Sequence, residues 1–198
     1  QVEHPVTEMV TGIDLVEMQL RMAQGEPLPV QQADIEMIGN ALELRIYAED
    51  LQNSFMPTTG RLLSYAFPGG EGIRVDHGLS EGMRVTPAFD SMLAKLIVYG
   101  PTRAEAIRRG KEAMADTWIL GVTTNADYLA RIIAHPAFAA GRIHTGFIPY
   151  YREDLKLSEV TPEQRHLLLA SVALGSREIT DPNFDLEEPY ATIGLWRN

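Results

Sequence analysis

No cysteine occurs among the 198 residues. That excludes disulfides, a thiolate metal site and a cysteine nucleophile, and it is compatible with a reducing compartment. Basic excess is missing too: 17 Lys and Arg stand against 27 Asp and Glu, for a formal net charge of -10. A general nucleic-acid binder needs a basic face. The densest basic cluster, Arg103, Arg108, Arg109 and Lys111, is diluted by Glu105 and Glu112, the pattern of a solvated helix face. No apolar run approaches the roughly 20 residues that a membrane span needs. Nucleic acid and membrane are therefore not expected as partners. His4, His77, His135, His144 and His166 never reach a close metal-ligand spacing, so no metal site is expected. No fixed-period repeat and no low-complexity tract is present.

What the chain does have is 45% hydrophobic residues, enough for one ordinary domain, or one domain plus an extension, to fold without staples. "QVE" reads as the end of a strand, and Pro5 biases His4 towards an extended conformation. Thr11, with Asp14 three residues on, is expected to cap a helix that carries Leu15, Val16, Gln19, Leu20 and Ala23 on one stripe. Gly25 and Pro27 should stop it. Residues 41 to 49, "ALELRIYAE", alternate most clearly: Leu42, Leu44, Ile46 and Ala48 point one way, and Glu43, Arg45, Tyr47 and Glu49 the other. "RLLSYAF" and "IRVD" read as short strands, and "SMLAKLIVYG" as a buried one.

Three helices are expected further on. "PTRAEAIRRGKEAMADT" has Thr102 and Glu105 as a capping box, "NADYLARIIAHP" is capped by Asn125 or Thr124, and "PEQRHLLLASVALG" starts at Pro162. Strands and helices that mix without strict βαβ alternation argue an α+β fold with a largely antiparallel sheet and flanking helices. "PGGEG" reads as a tight turn. A phosphate loop would carry a Lys and a Ser or Thr before a helix, whereas "IRVD" follows here.

Two residues are candidates for chemistry. Glu3 could act as a general base if it meets a substrate at hydrogen-bond distance; the plain alternative is a solvated carboxylate. Arg45 lies mid-strand on a polar face, where its fork of donors could hold an anion or a developing oxyanion. The alternative there is an exposed Arg–Glu pair that contributes little.

Taken together, "QVEHPVTEMVTGIDLVEMQLRMAQGEPLP", "LELRIYAED", "FMPTTGRL", "PGGEGIRVD", "FDSMLAKLIVYG" and "GVTTNADYLARIIAHPAFAAGRIHTGFI" resemble the C-terminal part of the biotin carboxylase family, an ATP-grasp enzyme. The resemblance covers about residues 1 to 150 and is nearest to the biotin-containing α subunit of acyl-CoA carboxylases of the methylcrotonoyl type, with the propionyl- and acetyl-CoA types as close alternatives. It implies residues 1–38 as the end of the ATP-grasp catalytic segment, 39–150 as the C-terminal subdomain, and 151–198 as a linker helix and the start of a following domain. It further implies that Gln1 and the backbone of Val2 help to hold bicarbonate, that Glu3 deprotonates it, and that Arg45 holds bicarbonate and then stabilises the enolate of biotin.

The position of Arg74 is implied at a subunit interface, with homo- or hetero-oligomers expected. ATP, Mg2+ and biotin would serve the whole enzyme, whose partners would be a biotin carrier domain and a carboxyltransferase subunit, in the cytoplasm of a bacterium or the mitochondrial matrix of a eukaryote. Lys95 does not stand in the biotin-attachment motif, which sets its Lys between two Met residues. The family's glycine-rich lid, ATP-binding lysines and magnesium-binding carboxylates are not within the chain. It is therefore expected to be a fragment, inactive alone. A noncatalytic scaffold or subunit-interaction module is the alternative.

Overall fold

The computed structural model describes residues 3–156 and 160–175, and of 172–175 the backbone alone. The chain divides into two compact units, Gln1–Leu157 and Ser158–Asn198.

The first unit opens with helix α1 (His4–Thr11), which starts directly behind Glu3. His4 is thus helical rather than extended. Pro5 falls in the first turn, where a backbone N–H has no helical partner to lose. Gly12, at φ 71°, closes the helix and donates its N–H to the Glu8 carbonyl. Helix α2 (Leu15–Ala23) is capped by Asp14, whose side chain accepts from the Glu17 N–H at 2.8 Å. Thr11 is not the cap: its hydroxyl donates back to the Thr7 carbonyl at 2.7 Å, ending α1. The stripe expected along α2 is not buried against this unit, since Val16, Gln19, Leu20 and Ala23 are all exposed.

Nine strands follow with their helices: β1 (Asn40–Tyr47), β2 (Glu49–Asp50), β3 (Met56–Pro57), β4 (Gly60–Arg61), β5 (Ser64–Ala66), β6 (Ile73–His77), β7 (Arg84–Val85), β8 (Met92–Gly100), α3 (Arg103–Ala115), β9 (Trp118–Leu120), α4 (Ala126–Ala134), α5 (Pro136–Ala139) and α6 (Phe147–Tyr150). Every pairing is antiparallel. The main sheet runs β1-β8-β6, and three two-stranded ribbons, β2-β3, β4-β7 and β5-β9, stand beside it. The stretch "RLLSYAF" splits in two because it changes partner. Leu62 donates its N–H to Met83, beside β7, and Leu63 donates to Leu120 on β9.

The sheet has one dry face and one polar face. Leu44, Leu96 and Val98 pack on Ala113 and Met114 of α3 and on Ile133 of α4. Register sets Arg45 opposite Lys95, and Lys95 opposite Asp76, on the other face, where α1 lies. A smaller core of Ala48, Leu62, Leu79, Val85 and Leu93 fills the space beneath the ribbons. The Thr102 hydroxyl caps α3 from the Glu105 N–H at 3.2 Å. The Glu105 carboxylate turns instead to Arg108 and Arg109, so the expected box is one-sided. "PGGEG" is the turn expected from its sequence. Gly72 sits at φ 73°, where a Cβ would run into the Arg109 guanidinium and the Tyr99 carbonyl.

In the second unit, α7 (Pro162–Gly175) begins with a complete capping box. The Thr161 hydroxyl accepts from the Gln164 N–H at 3.2 Å, and the Gln164 side chain accepts from the Thr161 N–H at 3.0 Å.

Candidate functional site

The polar face of the main sheet gathers the charged residues that the sequence scatters. Alternation along β1 points Glu43, Arg45 and Tyr47 to this face. Helix α1 begins over it, so Glu3, which precedes the helix, reaches across to β1. Arg45 Nη1 donates to Glu3 Oε1 at 3.2 Å, linking residues 42 positions apart. The two side chains are 33% and 43% exposed, so the pair remains open to a substrate. The guanidinium also lies over the Tyr47 ring, 5.5 Å from its centroid. Its Nε is shut off from solvent and has no hydrogen-bond partner among the described residues.

Glu43 is not the partner of Arg45. Both its carboxylate oxygens are sealed from solvent and unbonded among the described residues. Burial pushes the Glu43 carboxyl above the ordinary carboxylate range, against the pull of Lys95 and Arg45 and with the push of Glu3. Burial raises the Tyr47 phenol likewise.

Along the same face, Arg74 on β6 donates from Nε and Nη2 to Asp76 at 2.9 and 2.8 Å and from Nη1 to Glu8 Oε2 at 2.7 Å. These two carboxylates hold its guanidinium still more firmly protonated than usual. Glu8 is buried on α1. Its Oε1 accepts the Leu15 N–H at 3.0 Å and lies 3.2 Å from His4 Nδ1. Burial alone would raise the Glu8 carboxyl, but the bonds from Arg74, His4 and Leu15 outweigh it and hold it below the ordinary value. An open cleft of about 380 Å³ lies beside this network, with His4, Asp76, His77, Met92 and Lys95 in its walls.

The structure thus brings Glu3 and Arg45 together and sets Arg74 in a network on the same face. Gln1 and Val2 lie outside the described residues. Among the described residues no three His, Asp or Glu side chains converge as metal ligands. Sequence reasoning missed Glu8, the burial of Glu43, and Asn125, whose place before a helix reads as a cap. Only Glu43 carried a signal, its i, i+2 relation to Arg45 on the polar face.

Residues 43–150 match the family described as "Biotin carboxylase C-terminal domain", and residues 1–31 match "Carbamoyl-phosphate synthase L chain, ATP binding domain". The methylcrotonoyl-CoA carboxylase subunit alpha of Dictyostelium discoideum is 39% identical over 100% of this chain and 29% of its own length. The biotin carboxylase of Halalkalibacterium halodurans is 51% identical over 75% of this chain and 32% of its own length. Among solved structures, the biotin carboxylase domain dimer of Hydrogenobacter thermophilus 2-oxoglutarate carboxylase, in complex with MgADP, ADP and bicarbonate, superposes with a TM-score of 0.77 at 42% identity, over 80% of this chain and 35% of that one. The fold and the matched segments define the C-terminal part of an ATP-grasp carboxylase module. The chain belongs to the biotin carboxylase family and spans about a third of the length of these relatives.

Proposed function

We propose that this chain forms the C-terminal part of the biotin carboxylase component of an acyl-CoA carboxylase of the methylcrotonoyl type, carboxylating biotin at the expense of ATP and bicarbonate. The observation that carries this reading is the pairing of Glu3 with Arg45 at 3.2 Å on an accessible polar face. Glu3 takes the proton of bicarbonate so that its oxygen can attack the γ-phosphate of ATP, breaking the bond to ADP, which leaves, and forming carboxyphosphate. Arg45, with Gln1 and the Val2 backbone, holds the bicarbonate. The carboxyphosphate then splits into CO2 and phosphate, the phosphate takes the ureido proton of biotin, negative charge gathers on the ureido oxygen, and Arg45 stabilises that enolate while its nitrogen bonds to CO2. A fixed guanidinium helps most at the transition state, where that charge is greatest.

A biotin carrier domain and a carboxyltransferase subunit are the partners this chemistry requires, the one to deliver biotin and the other to spend its carboxyl group. Arg74 is the proposed subunit contact, prepositioned by Glu8 and Asp76. The setting is the cytoplasm in a bacterium and the mitochondrial matrix in a eukaryote. The test compares the full-length polypeptide with the 198-residue chain in two assays, bicarbonate-dependent phosphate release from ATP and carboxybiotin formation. The full-length protein is expected to show both. The chain alone is expected to show neither, because the ATP-binding domain family matches it over residues 1–31 only, too short a stretch to hold and neutralise the transferring phosphoryl group. A full-length protein without either activity, or steady phosphate release from the chain alone, contradicts the proposal.

A further inference from the structure

Strand β1 is an edge strand: β8 covers one side of it, and the ladder slips between Ile46 and Tyr47, next to Arg45. Among the described residues, its free side is closed there by Asn125. The Tyr47 N–H donates to Asn125 Oδ1 at 2.9 Å, Asn125 Nδ2 donates to the Arg45 carbonyl at 3.1 Å, and the Asn125 N–H donates to the Tyr47 carbonyl at 3.1 Å. Asn125 therefore does the work of a neighbouring strand for the stretch 45–47. Only one orientation of its amide serves both contacts, since the reverse would set NH2 against N–H and oxygen against oxygen.

The side chain is not spent on its own helix: Asn125 precedes α4 but makes no side-chain cap bond, and it is 8% exposed. A buried amide with both ends bonded fixes its surroundings closely, because losing either bond leaves a buried polar group unpaired.

We infer that Asn125 is a positioning residue for Arg45, locking the edge of β1 so that the guanidinium stays where it faces Glu3. This rests on the functional reading above. A misplacement of about 1 Å at a reacting centre costs on the order of 100-fold, and among the described residues the bulged edge of this three-stranded sheet has no other covering strand to prevent one.

Two experiments test it. In the unsubstituted 198-residue chain, the Tyr47 amide should exchange with deuterium as slowly as that of Ile46, which faces β8. Fast exchange at Tyr47 overturns the clamp whatever the enzyme does. In the full-length protein, Asn125→Ala and Asn125→Asp should each lower carboxybiotin formation by roughly 10- to 100-fold, with a smaller loss of ATP cleavage. Asn125→Asp keeps the size and the acceptor for Tyr47 but sets a carboxylate oxygen against the Arg45 carbonyl, and Asn125→Ser, smaller and uncharged, stands in if neither variant folds.

Added to Arg45→Gln, either substitution should change carboxybiotin formation by less than about 3-fold, because the two act through one group. Full multiplication of the losses indicates a structural role alone and overturns the inference, as do Asn125 variants with wild-type activity where Arg45→Gln is impaired. If Arg45→Gln is itself harmless, the functional reading fails, and the Tyr47 exchange still decides the clamp.

Discussion

Glu43 shows most plainly what a single residue on this face contributes. Its carboxylate oxygens are sealed and unbonded among the described residues, and burial raises its proton affinity. The sign of the consequence follows from linkage. Between the ordinary carboxylate value and the raised one, the folded chain holds a proton that the unfolded chain has released. Stability therefore falls as pH rises through that window and stays lower above it. Glu43→Gln drops the charge and keeps the shape. The variant should be more stable than the parent at pH 7, and the gain should vanish in acid below the ordinary carboxylate value. Urea unfolding at both ends of the range checks this; a variant less stable at pH 7 would mean that Lys95 compensates the Glu43 charge fully.

The candidate site was half legible at this scale. Arg45 stood out because alternation placed a guanidinium on a polar face. Its link to Glu3 could not be read, because the contact spans 42 positions and depends on where α1 starts. Asn125 was hidden for a similar reason: residues before helices commonly cap them, and only the tertiary structure turns this amide towards β1.

Elements were read best where one face is buried and the other wet. Of the strand expected at 41–49, the part up to Tyr47 is legible because Leu44 and Ile46 are buried against alternating polar neighbours, a pattern that no helix reproduces; the break at Ala48, after which Glu49 pairs with β3, leaves no mark in the alternation. α3 was legible from Thr102 and its apolar positions. The start of α1 is hidden in the sequence because Pro5 argues extension for the residue before it, whereas the first turn of a helix tolerates a proline. "RLLSYAF" hides its division into two strands because a switch of strand partner leaves no periodic mark.

The dry face of the sheet should also carry most of the unit's stability. Ile133 of α4 is fully buried between α3 and the sheet. Ile133→Ala should destabilise the chain by roughly 2–5 kcal/mol, the usual range for emptying such a site. Thermal or urea unfolding measures it. A loss under about 1 kcal/mol would mean that α4 is not needed to close the core, contrary to the packing described.

At the scale of the whole molecule, one sheet separates two duties. One face is packed against α3 and α4 and holds the fold; the other presents Glu3 and Arg45, with α1 beside them. The central claim is that these two residues divide the reaction, Glu3 serving the activation of bicarbonate and Arg45 the transfer of CO2 to biotin. The most direct test measures phosphate release and carboxybiotin in parallel, in full-length Glu3→Gln and Arg45→Gln variants. Glu3→Gln should lower both together, by roughly 10²–10⁴-fold, as a lost general base does. Arg45→Gln should lower carboxybiotin by roughly 10²–10³-fold, the scale of one lost oxyanion donor, while ATP cleavage falls less and becomes uncoupled from transfer. Equal losses of both activities in Arg45→Gln would assign Arg45 to bicarbonate binding and contradict the division; full activity in both variants would remove the site altogether.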